Sequence, residues 1–294
     1  MNVLQIVQKA CYQLGIQPPA TLVGNTDNVN LQIVELFNDV HTWLRNQRIW
    51  TQCKRTHTFD LEEDRQFYPL PRDFFATILG TPYDDTTAFP LIGPLSDAQF
   101  DMRQYGLVGF SPFPAYRIFG PDANPNTAGG QFQVWPIPGS EDTLSYEYQT
   151  SSLFKPQNWL PSTAYTITTS YVNANGNNYQ CTTTGTSSAT TAPSGQLLTP
   201  VANGTSAFVY LPSPYDTVLA NTDLSMFDDD VVIAGLKLWY RDAKRQDSTK
   251  DQQRFDQLID SAKARYYGSY RGSMSRYRRR GYTGINPQGG WDLS

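Results

Sequence analysis

The chain has 294 residues, 39% of them hydrophobic and 17% charged, enough to bury a sizeable core and to form about two domains, and its wealth of Thr, Ser, Asn, Gly, Pro and Tyr argues against a pure helical bundle. Uninterrupted aliphatic runs reach only about four residues against the roughly 20 that cross a bilayer, and no basic leader precedes an apolar stretch, so neither a transmembrane helix nor a secretory signal is expected and the chain should be made and kept in a cytoplasm. The net charge of −4 is uneven: residues 268–294 hold five arginines against Asp292 alone, a net of +4 that leaves −8 elsewhere, so body and tail should meet different partners.

Val3, Ile6, Val7, Ala10, Cys11 and Leu14 follow the helical i, i+3, i+4 rule and Gly15 supplies a stop, predicting a helix over 2–14. Ile33, Leu36, Phe37, Val40 and Leu44 predict a second helix to about Arg48, with Thr26 or Asp27 as N-cap, and the two helices should pack as a hairpin. Beyond Trp50 the runs shorten. Residues 56–61 and 66–70 read as a β-hairpin around Glu62, Glu63 and Asp64, and frequent prolines leave short strands and loops over 52–150, the clearest at 115–119, 131–135 and 143–150.

Asp228, Asp229 and Asp230 precede the stripe Val232, Leu236, Trp239 and Ala243, so they read as an acidic cap on a third helix rather than a metal site. Phe255, Leu258, Ile259, Ala262 and Tyr266 predict a fourth helix ended by Gly268. Between the helix pairs, residues 157–213 are nearly free of charge and too long for a loop. Aromatic and β-branched clusters at 165–167, 171–172, 179–183 and 208–211, separated by the turn signals Asn175-Gly176 and Pro193-Ser194-Gly195, predict a small β-module.

The fold class expected is therefore α+β: a four-helix bundle made by N- and C-terminal helix pairs, an intervening β-rich domain and a small all-β insertion. The divisions are 1–50 and 214–268 for the two halves of the helical domain, 51–156 for the β-rich domain, 157–213 for the insertion and 269–294 for an extended basic tail.

Ala10 and Leu14-Gly15, then Leu36, Asn38, Trp43 and Trp50, in that order, resemble the opening of podovirus head-to-tail adaptor proteins. Asn221-Thr222-Asp223, the three aspartates, Val232-Ile233-Ala234-Gly235-Leu236-Lys237 and Trp239-Tyr240-Arg241 resemble the last helices of the same family. The resemblance covers roughly 2–155 and 215–272. It implies a bacteriophage virion protein of the tail or neck region, made in the host bacterial cytoplasm: a homo-oligomeric ring, twelve copies in that family, that meets the portal protein, a tail nozzle or tube and tail fibres, and lets DNA pass without sequence-specific binding or a membrane anchor. Helix seams around Leu36, Phe37, Trp239 and Phe255 are the expected lateral contacts. The insertion resembles the chitin-type carbohydrate-binding modules of phage virion proteins through Trp159, 162–165, Asn178-Tyr179, 185–187, 191–195 and 208–210, but a Gly-Asp-x-Val turn is replaced by 167–172.

Catalysis is not expected. His41 and His57 lack a matching nucleophile motif, no phosphate loop or His-Glu-x-x-His occurs, and Cys11, Cys53 and Cys181 have neither disulfide nor zinc-ligand spacing and read as buried thiols. No metal or cofactor is implied. A peptidoglycan hydrolase using Glu62, Glu63 and Asp64 is a weaker alternative, since adjacent carboxylates on a turn do not fix the separation glycosidases need. A carbohydrate-binding virion protein for host attachment is the other, with Trp159, Tyr165 and Tyr179 as glycan contacts, although a module of this size needs its aromatics for a core. The docking element favoured is the tail: Tyr270, Arg271, Arg276, Tyr277, Arg278, Arg279, Arg280 and Tyr282 suit the portal or a neighbouring subunit better than a DNA backbone, because tyrosine and arginine anchor protein interfaces and the acidic body should repel DNA.

Overall fold

A computed structural model describes residues 1–106, 113–119, 130–139, 141–167, 169–195, 197–211 and 215–279, with side chains as far as 265. The chain forms two compact units, one from residues 1–53 and 151–265, the other from 54–150 and 266–294.

In chain order, α1 (Val3–Leu14) and α2 (Asn28–Gln47) come first, followed by β1 (Lys54–Asp60), β2 (Phe67–Pro69), β3 (Phe74–Thr77), β4 (Tyr83–Asp84) and β5 (Phe89–Pro90). Next come α3 (Asp97–Tyr105), β6 (Ala115–Phe119), β7 (Gln131–Trp135), β8 (Thr143–Thr150), β9 (Phe154–Lys155) and β10 (Gln157–Asn158). The inserted segment continues with β11 (Ala164–Tyr165), β12 (Tyr171–Ala174), β13 (Asn177–Thr183), β14 (Gly185–Thr186), β15 (Val201–Asn203) and β16 (Ser206–Tyr210). The chain closes with β17 (Leu224–Ser225), α4 (Asp229–Ala243) and α5 (Thr249–Arg279).

In the first unit α4 is the hub. Residues 231–236 are all buried, so its first turns are covered on every side, as for a helix enclosed by others. Both α1 and α2 pack along α4, which replaces the expected α1–α2 hairpin, because the run 231–236, buried throughout, offers apolar surface to more than one partner. A Cβ on Gly235 would lie 2.8 Å from Val40 Cγ1 and 2.9 Å from Phe255 Cε2, so this glycine lets α2 and α5 approach α4 closely. Trp43, Trp239 and Phe255 form an aromatic triad with centroids 5.4–5.5 Å apart. Buried Asp251, at the start of α5, takes Lys237 Nζ at 3.1 Å and Arg241 Nη1 at 3.0 Å from α4.

The segment 221–223 secures the approach to α4. Asn221 Oδ1 accepts the N–H groups of Leu22 and Val23, and buried Asp223 accepts the Tyr215 hydroxyl and the N–H groups of Leu219 and Ala220. The start of α1 is tied in by Val3 N–H donating to Asp223 O at 2.8 Å. The chain leaves and re-enters the helical part through the paired strands β9 and β17, reinforced by Leu153 and Phe154 N–H donating to Tyr215 O and Met226 N–H donating to Leu153 O.

The insertion builds a five-stranded sheet in the order β10-β12-β13-β16-β15, over a core of Tyr165, Val172, Ala174, Tyr179, Cys181 and Phe208. Its hairpin turn is the one the sequence marks: Ala174 pairs with Asn177, and Asn175 and Gly176 have φ of 51° and 80°, the left-handed pair a two-residue turn demands.

In the second unit β8 is the central strand, paired with β1 on one side and with β3 and β4 on the other, while β7 joins β2 and β6 in a separate sheet. The expected β1–β2 hairpin is therefore corrected: the two strands lie in different sheets. The turn between them is held by the Tyr68 hydroxyl, which accepts Glu62 N–H and donates to Arg65 O. Large rings fill the core, with Tyr116, Phe132 and Tyr146 stacked at centroid distances of 4.7 and 5.1 Å. Helix α3 breaks the expectation of strands and loops alone, and Ser96 and Gln99 cap it reciprocally. It is held by Arg117, nearly buried between the Phe100 and Phe119 rings at 4.3 and 4.1 Å and paired with Asp97 and Asp101.

The last helix also runs further than expected. α5 continues through Gly268 and Gly272 to Arg279; each glycine costs a helix interior about 1 kcal/mol, and neither is followed closely by a proline.

Candidate functional site

At one end of the sheet containing β8, three acidic segments converge. Asp60 lies opposite Thr143 in the β1–β8 register and accepts its hydroxyl at 3.0 Å. Leu61 N–H donates to Asp142 O, Asp64 N–H to Pro138 O and Asp85 N–H to Thr143 O. Segments 60–65, 84–85 and 141–142 thus gather eight carboxylates and one cation, Arg65, which pairs with Glu62.

Beside these segments opens an apolar cavity of about 260 Å³, lined by Leu61, Phe89, Leu91, Val134, Ile137 and Leu144, three prolines, and the carboxylates Asp84 and Asp142. Asp84 is buried, and its Oδ1 accepts the N–H groups of Thr86 and Thr87, so it is structurally engaged. Phe89 is 41% and Ile137 45% exposed. This groove was not singled out from sequence; its signal was an isoleucine set between Pro136 and Pro138 beside acids, legible only once β4, β5 and β7 are brought together.

The sequence-derived candidates are dispersed. Tyr270, Arg271, Arg276, Tyr277, Arg278 and Arg279 fall on the backbone of α5, whereas Arg280 and Tyr282 lie outside the described residues. The extended tail expected from 269 onward is corrected to helix as far as Arg279. Tyr165 and Tyr179 are 9% and 2% exposed in the core of the insertion; the Tyr165 hydroxyl receives Leu160 N–H and that of Tyr179 donates to Gly195 O. Neither ring face is open for a sugar, which corrects their assignment as glycan contacts. Trp159 packs half-buried against the same core. Phe37 and Phe255 are buried within the subunit, so of the expected lateral seams only the partly exposed Leu36 and Trp239 remain.

Each histidine is packed on rings. His41 is fully buried among Phe37, Phe154 and Phe227. Its Nδ1 is 2.7 Å from Phe37 O, an acceptor only, so Nδ1 carries the proton and Nε2 accepts the Ser225 hydroxyl at 2.9 Å. Burial pushes its pKa down to about 4. His57 stacks on Phe59 and meets Tyr146 edge-on, and desolvation lowers its pKa as well. In the aspartate run, Asp228 caps α4 by position without a side-chain cap bond; it takes Arg265 of α5 at 2.8 Å, and Asp230 takes Lys9 of α1 at 3.6 Å. Among the described residues no three His, Cys, Asp or Glu side chains come together as metal ligands, and no helix is long and apolar enough to cross a membrane.

Two comparisons bear on this chain. A family model described as SU10 adaptor protein matches residues 1–167, which takes in α1, α2 and every strand of the second unit. No curated protein matches the chain.

Proposed function

The chain belongs to the SU10 adaptor protein family, and from that premise we propose that it is a structural subunit of a phage head-to-tail adaptor. Identical copies assemble as a closed ring, twelve in the family it resembles, one face of which docks on the portal while the other receives the tail nozzle or tube. DNA passes through without sequence readout. The observation that carries this reading is the family match over the first 167 residues, joined to a fold whose polar residues are spent on structure: His41 on Phe37 and Ser225, Asp223 on Tyr215, Asp251 on Lys237 and Arg241.

The helical unit is the rigid body of the subunit, and the arginine-rich end of α5 with the residues beyond it is its anchor on the portal or on a neighbour. The insertion decorates the rim, since its chain entry and exit are stapled by β9 and β17. The protein carries out no reaction of its own. Sedimentation of the purified chain with and without the portal protein of the same genome tests the assignment. A shift to a large complex is expected, abolished by truncation after Gly268; no shift for the intact chain refutes the adaptor reading.

A further inference from the structure

The groove in the second unit needs an occupant, and its chemistry selects one. A cavity of about 260 Å³ falls below the roughly 300–1,000 Å³ of small-molecule pockets and is the right scale for one aromatic side chain. Asp142 lines it, and the segments 60–65, 84–85 and 141–142 beside it carry a strong excess of carboxylates over their one cation, Arg65, so a partner that brings cations beside that ring suits it. The chain itself carries such a segment: residues 276–282 read Arg-Tyr-Arg-Arg-Arg-Gly-Tyr. One residue, Gly281, separates Arg280 from Tyr282, a reach of about 7 Å at full extension. The groove asks for the same short spacing, because Asp142 lines the cavity itself.

We propose that the groove of one subunit receives residues 276–282 of a neighbouring subunit, with the arginines on the carboxylates beside it and Tyr282 in the cavity. The proposal rests on the reading of the chain as a multi-copy adaptor and names the surface its basic segment meets. Arginine matches carboxylates through charge-assisted, bidentate hydrogen bonds, and tyrosine gives a large apolar payload with a polar tip that can stay at the rim. Donor segment and acceptor groove are different surfaces of one chain, so the contact is heterologous, and repetition around an axis closes a ring.

The test uses two full-length variants, Ile137→Cys in the groove and Gly281→Cys beside the anchoring tyrosine in the segment; the native Cys11, Cys53 and Cys181 are buried. Mixed and oxidised, the two should give a disulfide-linked dimer on a non-reducing gel at a yield at least about tenfold above either variant alone, the weight of one anchor residue. Asp85→Lys with Glu141→Lys should cut that yield about tenfold, and adding Arg278→Glu with Arg280→Glu to the donor should restore it. No mixed dimer, or a dimer indifferent to the charge reversals, overturns the proposal. A disulfide that forms only when both substitutions sit in one chain does so as well, placing the segment on its own groove. Sedimentation of the wild-type chain with portal is read separately: portal binding without the cross-link leaves the adaptor reading standing and removes the groove contact, whereas the cross-link without portal binding does the reverse.

Discussion

His41 makes the helical unit sensitive to acid in a way that can be isolated. Burial among Phe37, Phe154 and Phe227 lowers its pKa from 6.5 to about 4, so between those values the unfolded chain binds a proton that the folded chain does not. Stability is therefore full above pH 6.5 and is lost as pH falls toward 4. From this one group the loss between pH 7 and pH 5 should be about 2 kcal/mol, levelling near about 3 kcal/mol below pH 4. Buried Asp223 works in the opposite sense: desolvation raises its pKa, so the folded state gains relative stability on acidification. The bare pH profile of the wild type thus mixes both signs. Urea unfolding at pH 7 and pH 5 of the wild type and of His41→Gln separates them. The variant loses stability at both pH values, because its amide cannot reproduce the contacts to Phe37 and Ser225, but its decline between the two should be smaller than the wild type's by about 2 kcal/mol. Equal declines would refute the assignment of a buried neutral imidazole.

Three further outcomes follow from the packing. Gly235→Ala should destabilise by about 1–2 kcal/mol in urea titration despite the helix propensity it gains, because the new methyl meets Val40 and Phe255 at 2.8 and 2.9 Å; a neutral or stabilising result would mean that α4 sits further from its neighbours. Asp251→Asn leaves Lys237 and Arg241 without their buried counter-charge and should cost about 2–3 kcal/mol, less in 1 M salt if solvent reaches the cations. Replacing 157–213 by a short Gly/Ser bridge should preserve the far-UV helical signal and a cooperative melt, since β9, β17 and Tyr215 already hold the two ends together; loss of the helical signal would show that the insertion is integral to the unit.

The helices were legible because one strong apolar face sufficed to declare each of them: α1 and α4 fall within a residue or two of the stripes that predict them. Partnership was not legible. The stripes of α1 and α2 say that each buries a face, but not that both bury it on α4, whose own stripe of Val232, Leu236, Trp239 and Ala243 declares a helix but not its partners. The strands 115–119, 131–135 and 143–150 match β6, β7 and β8 to the residue, whereas the acidic turn after β1 was taken for a hairpin because proximity in sequence is the simplest pairing rule. Helix α3 had a readable signal, Ser96 with Gln99 three residues on, masked by the prolines around it. At the other end of the chain, Gly268 reads as a stop, but a glycine ends a helix only where the chain turns left-handed into a cap, and α5 runs on through it to Arg279.

The groove beside β8 belongs to a different category of information. Its acids lie in segments separated by up to about 80 residues of sequence, and each is unremarked where it stands: a turn, a strand end, a loop. Only the register of β8 against β1 and β4, which puts Asp60 opposite Thr143 and Asp84 opposite Leu144, brings them to one end of the sheet beside one cavity. The arginine run, by contrast, is contiguous and conspicuous in the sequence. A contiguous cationic segment and a folded acidic receptor are thus unequal in visibility, though the physics of the contact weights them alike. An interface between copies of one chain therefore shows only its contiguous half to a reader of the sequence. The folded half appears when the sheet is assembled, and charge and size together then decide which of the chain's own segments it fits.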